Sequence, residues 1–159
     1  MNLTKLQVQL DQQLSQIGSG VAVVTIDDGA RRLSCNIVDH NPLAISFEWL
    51  RLATTELAAA SAPELERIGK ALSERLTYLM EPIAPIEIDA AGCVVQLRSN
   101  PPQRDDDGRT YYEITVRRGG EIALARYRKE AGTARRQITA NVTREVLLRL
   151  VGDFCAVLG

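Results

Sequence analysis

The stretch RTYYEITVRRGGEIALARYRKEAGTARRQITAN, residues 109–141, decides the fold: it reads as strand, tight turn, strand, turn, strand and a stop before a last helix. Gly119 and Gly120 suit a two-residue hairpin turn of type I′ or II′, which needs a positive φ that glycine adopts without a Cβ clash. Such a loop sets the register. Arg118 then faces Glu121, Val116 faces Ala123, Ile114 faces Ala125 and Tyr112 faces Tyr127. Strand side chains alternate with a period of two, so this apolar side is expected to face the core. The other side pairs Arg117 with Ile122, Thr115 with Leu124, Glu113 with Arg126 and Tyr111 with Arg128. A four-residue loop, Glu130 to Thr133, places Ile138 opposite Ala125 on the core side and Arg135 opposite Arg128 on the other.

Working upstream, Leu3, Leu6, Leu10, Leu14 and Ile17 form one stripe of a helix that ends at Gly18-Ser19-Gly20. Val21 to Ile26 and Leu33 to Val38, joined at Asp27-Asp28-Gly29, read as two strands. Leu43, Ile45, Phe47 and Trp49 alternate with polar or small residues, which argues for a third strand; a helix starting near Phe47 is the competing reading. Ser61-Ala62-Pro63-Glu64 is a capping box, and Leu65, Ile68, Leu72, Leu76 and Leu79 give the inward stripe of a helix to about Met80. Short strands follow at Pro85 to Asp89 and Cys93 to Arg98. Ser99 to Gly108 reads as an exposed, structureless loop. Asn141 or Thr143 caps a last helix whose Val146, Leu147, Leu150, Val151, Phe154, Val157 and Leu158 cover much of its circumference. Such a helix must lie across the sheet or meet another subunit.

The expected architecture is therefore α+β: an antiparallel sheet of about eight strands packed by three helices, in the order α-βββ-α-βββββ-α. Its 159 residues are expected to form one domain, 1–159, with sub-lobes 1–81 and 82–159 as the finer division. Chains of this size bury roughly 70% of their unfolded surface, so no staples are needed.

The net charge of −1 gives no global argument for nucleic acid or membrane. The halves differ, however: residues 1–90 carry seven Lys/Arg and twelve Asp/Glu, residues 91–159 twelve and eight. Cys35, Cys93 and Cys155 are odd in number and sit in apolar patterns, which fits buried thiols in a reducing compartment. No apolar run approaches the ~20 residues of a membrane span. The N-terminus lacks a basic region followed by an apolar one, so the expected location is the cytoplasm, with no membrane partner.

No catalytic, cofactor or metal motif emerges. The single histidine, His40, lies in an Asp-His-Asn-Pro turn, which rules out a site built from several histidines. Asp105-Asp106-Asp107-Gly108 opens like a calcium loop, but the twelfth position falls on Val116 within a strand. The Asn2 and Asn141 N-x-T sequences carry no meaning without secretion.

One constellation has functional content: Tyr111, Arg117, Arg126, Arg128 and Arg135 on the outer hairpin face, with Arg118, Lys129 and Arg136 near its edges. Arginines beside tyrosines on a sheet can hold phosphates and stack bases, or hold a carboxylate-bearing peptide. They can also be a solvated face or guard a strand edge.

The α-βββ-α order of the first eighty residues, the chain length and the acidic pI are similar to those of the small dimeric chaperones of bacterial type III secretion. The similarity covers half the chain and is one of element order; it implies a protein-binding role ahead of a catalytic one. The expected function is a non-catalytic cytoplasmic protein–protein interaction domain, scaffold or chaperone-like. Its partner is a protein, or a second copy met through the terminal helices. RNA or single-stranded DNA binding on the face 111–136 is the alternative, and an enzyme with an unrecognised carboxylate/arginine site the third.

Overall fold

Ten antiparallel strands form one sheet, and three helices lie on one of its faces. The structure, a computed structural model, describes residues 3–18 and 20–159. Asn2 of the first N-x-T sequence and Ser19 of the expected turn lie outside the described residues. Along the chain come α1 (Lys5–Gln16), β1 (Ala22–Asp27), β2 (Arg31–His40), β3 (Ile45–Thr54), a 3₁₀ turn (Thr55–Leu57) and α2 (Ala62–Arg75). Then follow β4 (Ile83–Asp89), β5 (Val94–Ser99), β6 (Gln103–Arg104), β7 (Gly108–Arg117), β8 (Glu121–Glu130), β9 (Arg136–Ile138), β10 (Ala140–Val142) and α3 (Arg144–Ala156). The main path is β1-β2-β3-β8-β7-β5-β4, with β10 beside β3, β6 beside β7 and β9 beside β8. The expected class and helix order hold. Seven strands follow α2 where five were expected, because the short β6 and β10, of two and three residues, are added by pairing with β7 and β3.

The core lies between the helices and one sheet face. Leu6, Leu10 and Leu14 of α1 are buried, whereas Leu3 precedes the helix and is exposed. Thr4 caps α1 in a reciprocal box with Gln7. Ser61 caps α2 by accepting the Glu64 amide. That helix ends at Arg75 rather than near Met80, where residue 80 itself has φ 67°. Leu76 and Leu79 are still buried beyond its end. Thr143, not Asn141, caps α3; Asn141 lies in β10, where its side chain accepts from the Ser46 hydroxyl. The wide apolar surface of α3 is covered within the chain: Leu147, Leu150, Val151, Phe154 and Val157 are all buried against the sheet and the other helices. Of the two expectations for this helix, lying across the sheet is the one realised, and its surface does not require a partner.

The hairpin that sets the register departs from expectation by one residue. Arg117, not Arg118, pairs with Glu121, so the loop has three residues. Arg118 is drawn out of the ladder by tertiary bonds: its amide donates to the Cys93 carbonyl and its guanidinium Nε to the Ala60 carbonyl, both at 3.0 Å. Gly120, at φ 109°, packs so closely on the Thr54 carbonyl that a Cβ would collide with it. A one-residue shift turns a whole strand over. On β7 the expected core residues Tyr112, Ile114 and Val116 are buried as expected. On β8 the core residues are Ile122 and Leu124; Ala123, Ala125 and Tyr127 face the other way. The next loop is shifted as well: Ile138 pairs with Arg126 rather than Ala125, and Arg128 with Arg136 rather than Arg135. The two shifts compensate, and Ile138 still shares a face with Ile122 and Leu124.

A third departure lies in β3. Phe47 pairs with Ile37 and Leu50 with Cys35, so an irregularity between them switches the strand's alternation. Phe47 and Leu50 are both fully buried, and Trp49 turns to the opposite face instead of following Phe47 into the core. Leu43, expected with them, is 82% exposed. The stretch Ser99 to Gly108, expected to be structureless, contains β6, and Asp105 orders its end by accepting the amides of Asp107 and Gly108.

Candidate functional site

Among the described residues, no helix packs on the second face of the sheet. Alternation along β8 puts Ala123, Ala125 and Tyr127 there. Their cross-strand neighbours are Arg51 and Trp49 on β3, and Thr115, Glu113 and Tyr111 on β7. Two alanines flanked by long side chains on both neighbouring strands make a groove along β8, closed at one end by Tyr127 and at the other by Arg117 opposite Glu121. It encloses a cavity of about 240 Å³.

The arginines of this face are held by aromatic rings. Arg51 lies 4.1 Å over Trp49, Arg135 4.0 Å over Tyr127 and Arg98 4.7 Å over Tyr111, each a cation–π contact. Tyr111 and Tyr127 stack with centroids 6.1 Å apart. Glu113 sits between them, only 6% exposed, and accepts from Arg135 at 2.8 Å, from Arg98 at 3.0 Å and from the Gln96 carboxamide. Burial alone would raise its pKa, but the hydrogen bonds from Arg135 and Arg98 outweigh it and hold the carboxyl below the ordinary glutamate value. Those same bonds strengthen the guanidinium of Arg135 as a cation. Glu121 reaches Arg51 only at 4.0 Å. Arg117 is exposed and forms no ion pair among the described residues.

The structure therefore separates the residues that the sequence grouped. Tyr111, Arg117 and Arg135 share the open face. Arg126 and Arg128 project to the helix-covered side. Arg126 pairs with Glu81 at 2.8 Å and lies 4.4 Å over Tyr112. Arg128 bridges Asp105 at 2.8 Å and Glu130 at 3.0 Å. Its hydrogen bond, with those of the Asp107 and Gly108 amides, holds Asp105 far below the usual carboxylate range. Asp105, the first residue of the run that opens like a calcium loop, is thus engaged by an arginine and two amides. His40 has its Nε2 at 3.2 Å and 3.0 Å from the Ile17 and Gly18 carbonyls, where it joins the end of α1 to the end of β2.

Trp49, Arg51 and Arg98 were not singled out by sequence reasoning, and Ala123, Ala125 and Tyr127 were assigned to the core. For Trp49 and Arg51 a signal exists: an aromatic and an arginine two apart on a strand share a face and can stack. Among the described residues no group of three His, Cys, Asp or Glu is placed to hold a metal, and no helix is long and apolar enough to cross a membrane. No protein-family model, no curated protein and no solved structure matches the chain.

Proposed function

We propose that the protein is a non-catalytic interaction module that holds a protein partner on the uncovered face of its sheet. The groove over Ala123 and Ala125 carries this reading. Trp, Tyr and Arg are the residue types that dominate binding hot spots, and here they surround a small-residue floor that a partner side chain can enter. Arginines already stacked on rings lose little freedom when they bind, which favours recognition over a merely solvated face.

Nucleic acid is less well served by the same geometry. The tyrosine and tryptophan faces on which bases would stack carry guanidiniums instead. Two carboxylates, Glu113 and Glu121, stand among the cations, and Arg126 and Arg128 are turned away.

A scaffold or chaperone-like role in the cytoplasm belongs to the same proposal, supported by three buried, unpaired cysteines. Self-association through the terminal helices is its second half. It is supported by Leu3 just before α1 and Val8 within it, 44% and 39% exposed, and sedimentation at tens of micromolar tests it: a strictly monomeric species removes this half alone.

The main test is copurification from the native cell with Ala123→Trp, which fills the groove, and Glu66→Lys on the exposed side of α2 as control. The wild type and the control should retain a partner that the groove variant loses. Equal recovery by all three overturns the reading.

A further inference from the structure

We infer that the groove over Ala123 and Ala125 receives a carboxylate of an acidic peptide segment between Arg51 and Arg117, beside the loosely held Glu121. The inference rests on the reading of the open face as a protein-binding surface and adds the chemistry of the partner.

Charge complementarity carries the argument. Arg98 and Arg135 stand beside Arg51 and Arg117 on this face, and all but Arg98 line the groove. Glu113 is buried and already shared by the first two. Among the described residues, Arg51 reaches only Glu121 and Arg117 pairs with no carboxylate. Glu121 is the cross-strand partner of Arg117 and reaches Arg51 at 4.0 Å, the outer limit of an ion pair, with its side chain 42% exposed. A carboxylate so loosely held is replaced at small cost, because exposed ion pairs contribute little. An incoming carboxylate on the Ala123 floor would instead meet both cations at once, Arg51 being fixed over Trp49, and gain charge-assisted bonds from each.

Size and surroundings choose the ligand class. At about 240 Å³ the cavity lies below the ~300–1,000 Å³ of sites that enclose whole small molecules, so it suits a side chain or two of a longer ligand. Trp49 and Tyr127 carry Arg51 and Arg135 on their faces, so the lining offered to that segment is mostly polar, which suits a charged side chain.

The test uses fluorescence anisotropy with three labelled probes: a peptide repeating Glu-Leu-Asp-Ser, its neutral counterpart repeating Gln-Leu-Asn-Ser, and a poly-uridine oligonucleotide. The acidic peptide should bind and weaken with salt. Arg117→Ala and Arg51→Ala should each weaken it about tenfold, the effect of losing one hydrogen bond to a charged group. Glu121→Gln should tighten it severalfold. Both Arg117 and Glu121 lie at the sheet surface, so their variants should keep the wild-type melting temperature.

Binding of the neutral peptide at equal strength, indifference to Arg117→Ala, or weaker binding by Glu121→Gln overturns the proposal. So does stronger, Arg117-dependent binding of poly-uridine. The two levels fail separately. If Ala123→Trp loses the copurifying partner while the acidic peptide never binds, only the carboxylate chemistry falls. If Ala123→Trp keeps the partner, the open face itself is not the binding surface.

Discussion

Arg126 and Glu81 meet at 2.8 Å on the helix-covered side of the sheet, with side chains only 12% and 4% exposed. Removing one member of a buried pair leaves the other charged and without a counter-ion. Arg126→Met should therefore cost about 3 kcal/mol in urea unfolding, within the range for breaking a buried pair. The double variant Arg126→Met with Glu81→Leu should recover most of that loss. Additive losses would mean that the two residues do not act as a pair.

Gly120 is the hinge of the β7–β8 loop. It combines φ 109° with close packing on the Thr54 carbonyl, while Gly119, at φ 99°, has open space around its Cβ position. Gly119→Ala should cost about 1 kcal/mol, the conformational penalty alone. Gly120→Ala should cost about 3 kcal/mol, because backbone must also move. Equal denaturation midpoints for the two variants would refute the close contact.

These contacts explain what could be read from the chain and what could not. Helix existence was legible because apolar spacing and caps are local: Ser61 and Thr143 cap the helices that follow them. The buried side of β7 was legible because Tyr112, Ile114 and Val116 sit on it in either register. On β8 the two-residue turn put Ala123, Ala125 and Tyr127 inward, whereas Ile122 and Leu124 are the residues buried. What decides is the pull of the distant Cys93 and Ala60 carbonyls on Arg118, a tertiary contact that no turn rule contains. The same kind of contact, an irregular β2–β3 register, brought Trp49 to the open face and completed a site whose arginines had been grouped across two faces of the sheet.

The cysteines give a test of burial. Burial pushes the Cys35 thiol up to about 12, and raises Cys155 as well despite the nearby Arg31. Because the thiolate is the reactive form, iodoacetamide at pH 8 should modify native Cys35 more than about a hundredfold more slowly than the unfolded chain. Mass spectrometry of timed aliquots reads this out. Rapid native labelling of Cys35 would contradict its full burial under the helices.

Glu113 connects the open face to acid stability. Its folded pKa lies below the ordinary 4.5, because the bonds from Arg135 and Arg98 favour the carboxylate more than burial disfavours it. The folded state therefore binds the proton less readily than the unfolded chain. The resulting stability is fully present above pH 4.5 and is lost as the pH falls through the lowered folded value. Glu113→Gln keeps the shape and removes the charge, so at pH 7 it should cost about 1.5–3 kcal/mol, the range for a hydrogen bond to a charged group. Below pH 4.5 the wild type should lose that advantage, and its urea midpoint should converge on that of the variant. Other depressed carboxylates, such as Asp105 and Glu56, titrate in both proteins and cancel in the difference. Two midpoint curves that stay parallel from pH 7 to pH 3 would show that Glu113 is not the group held by these arginines.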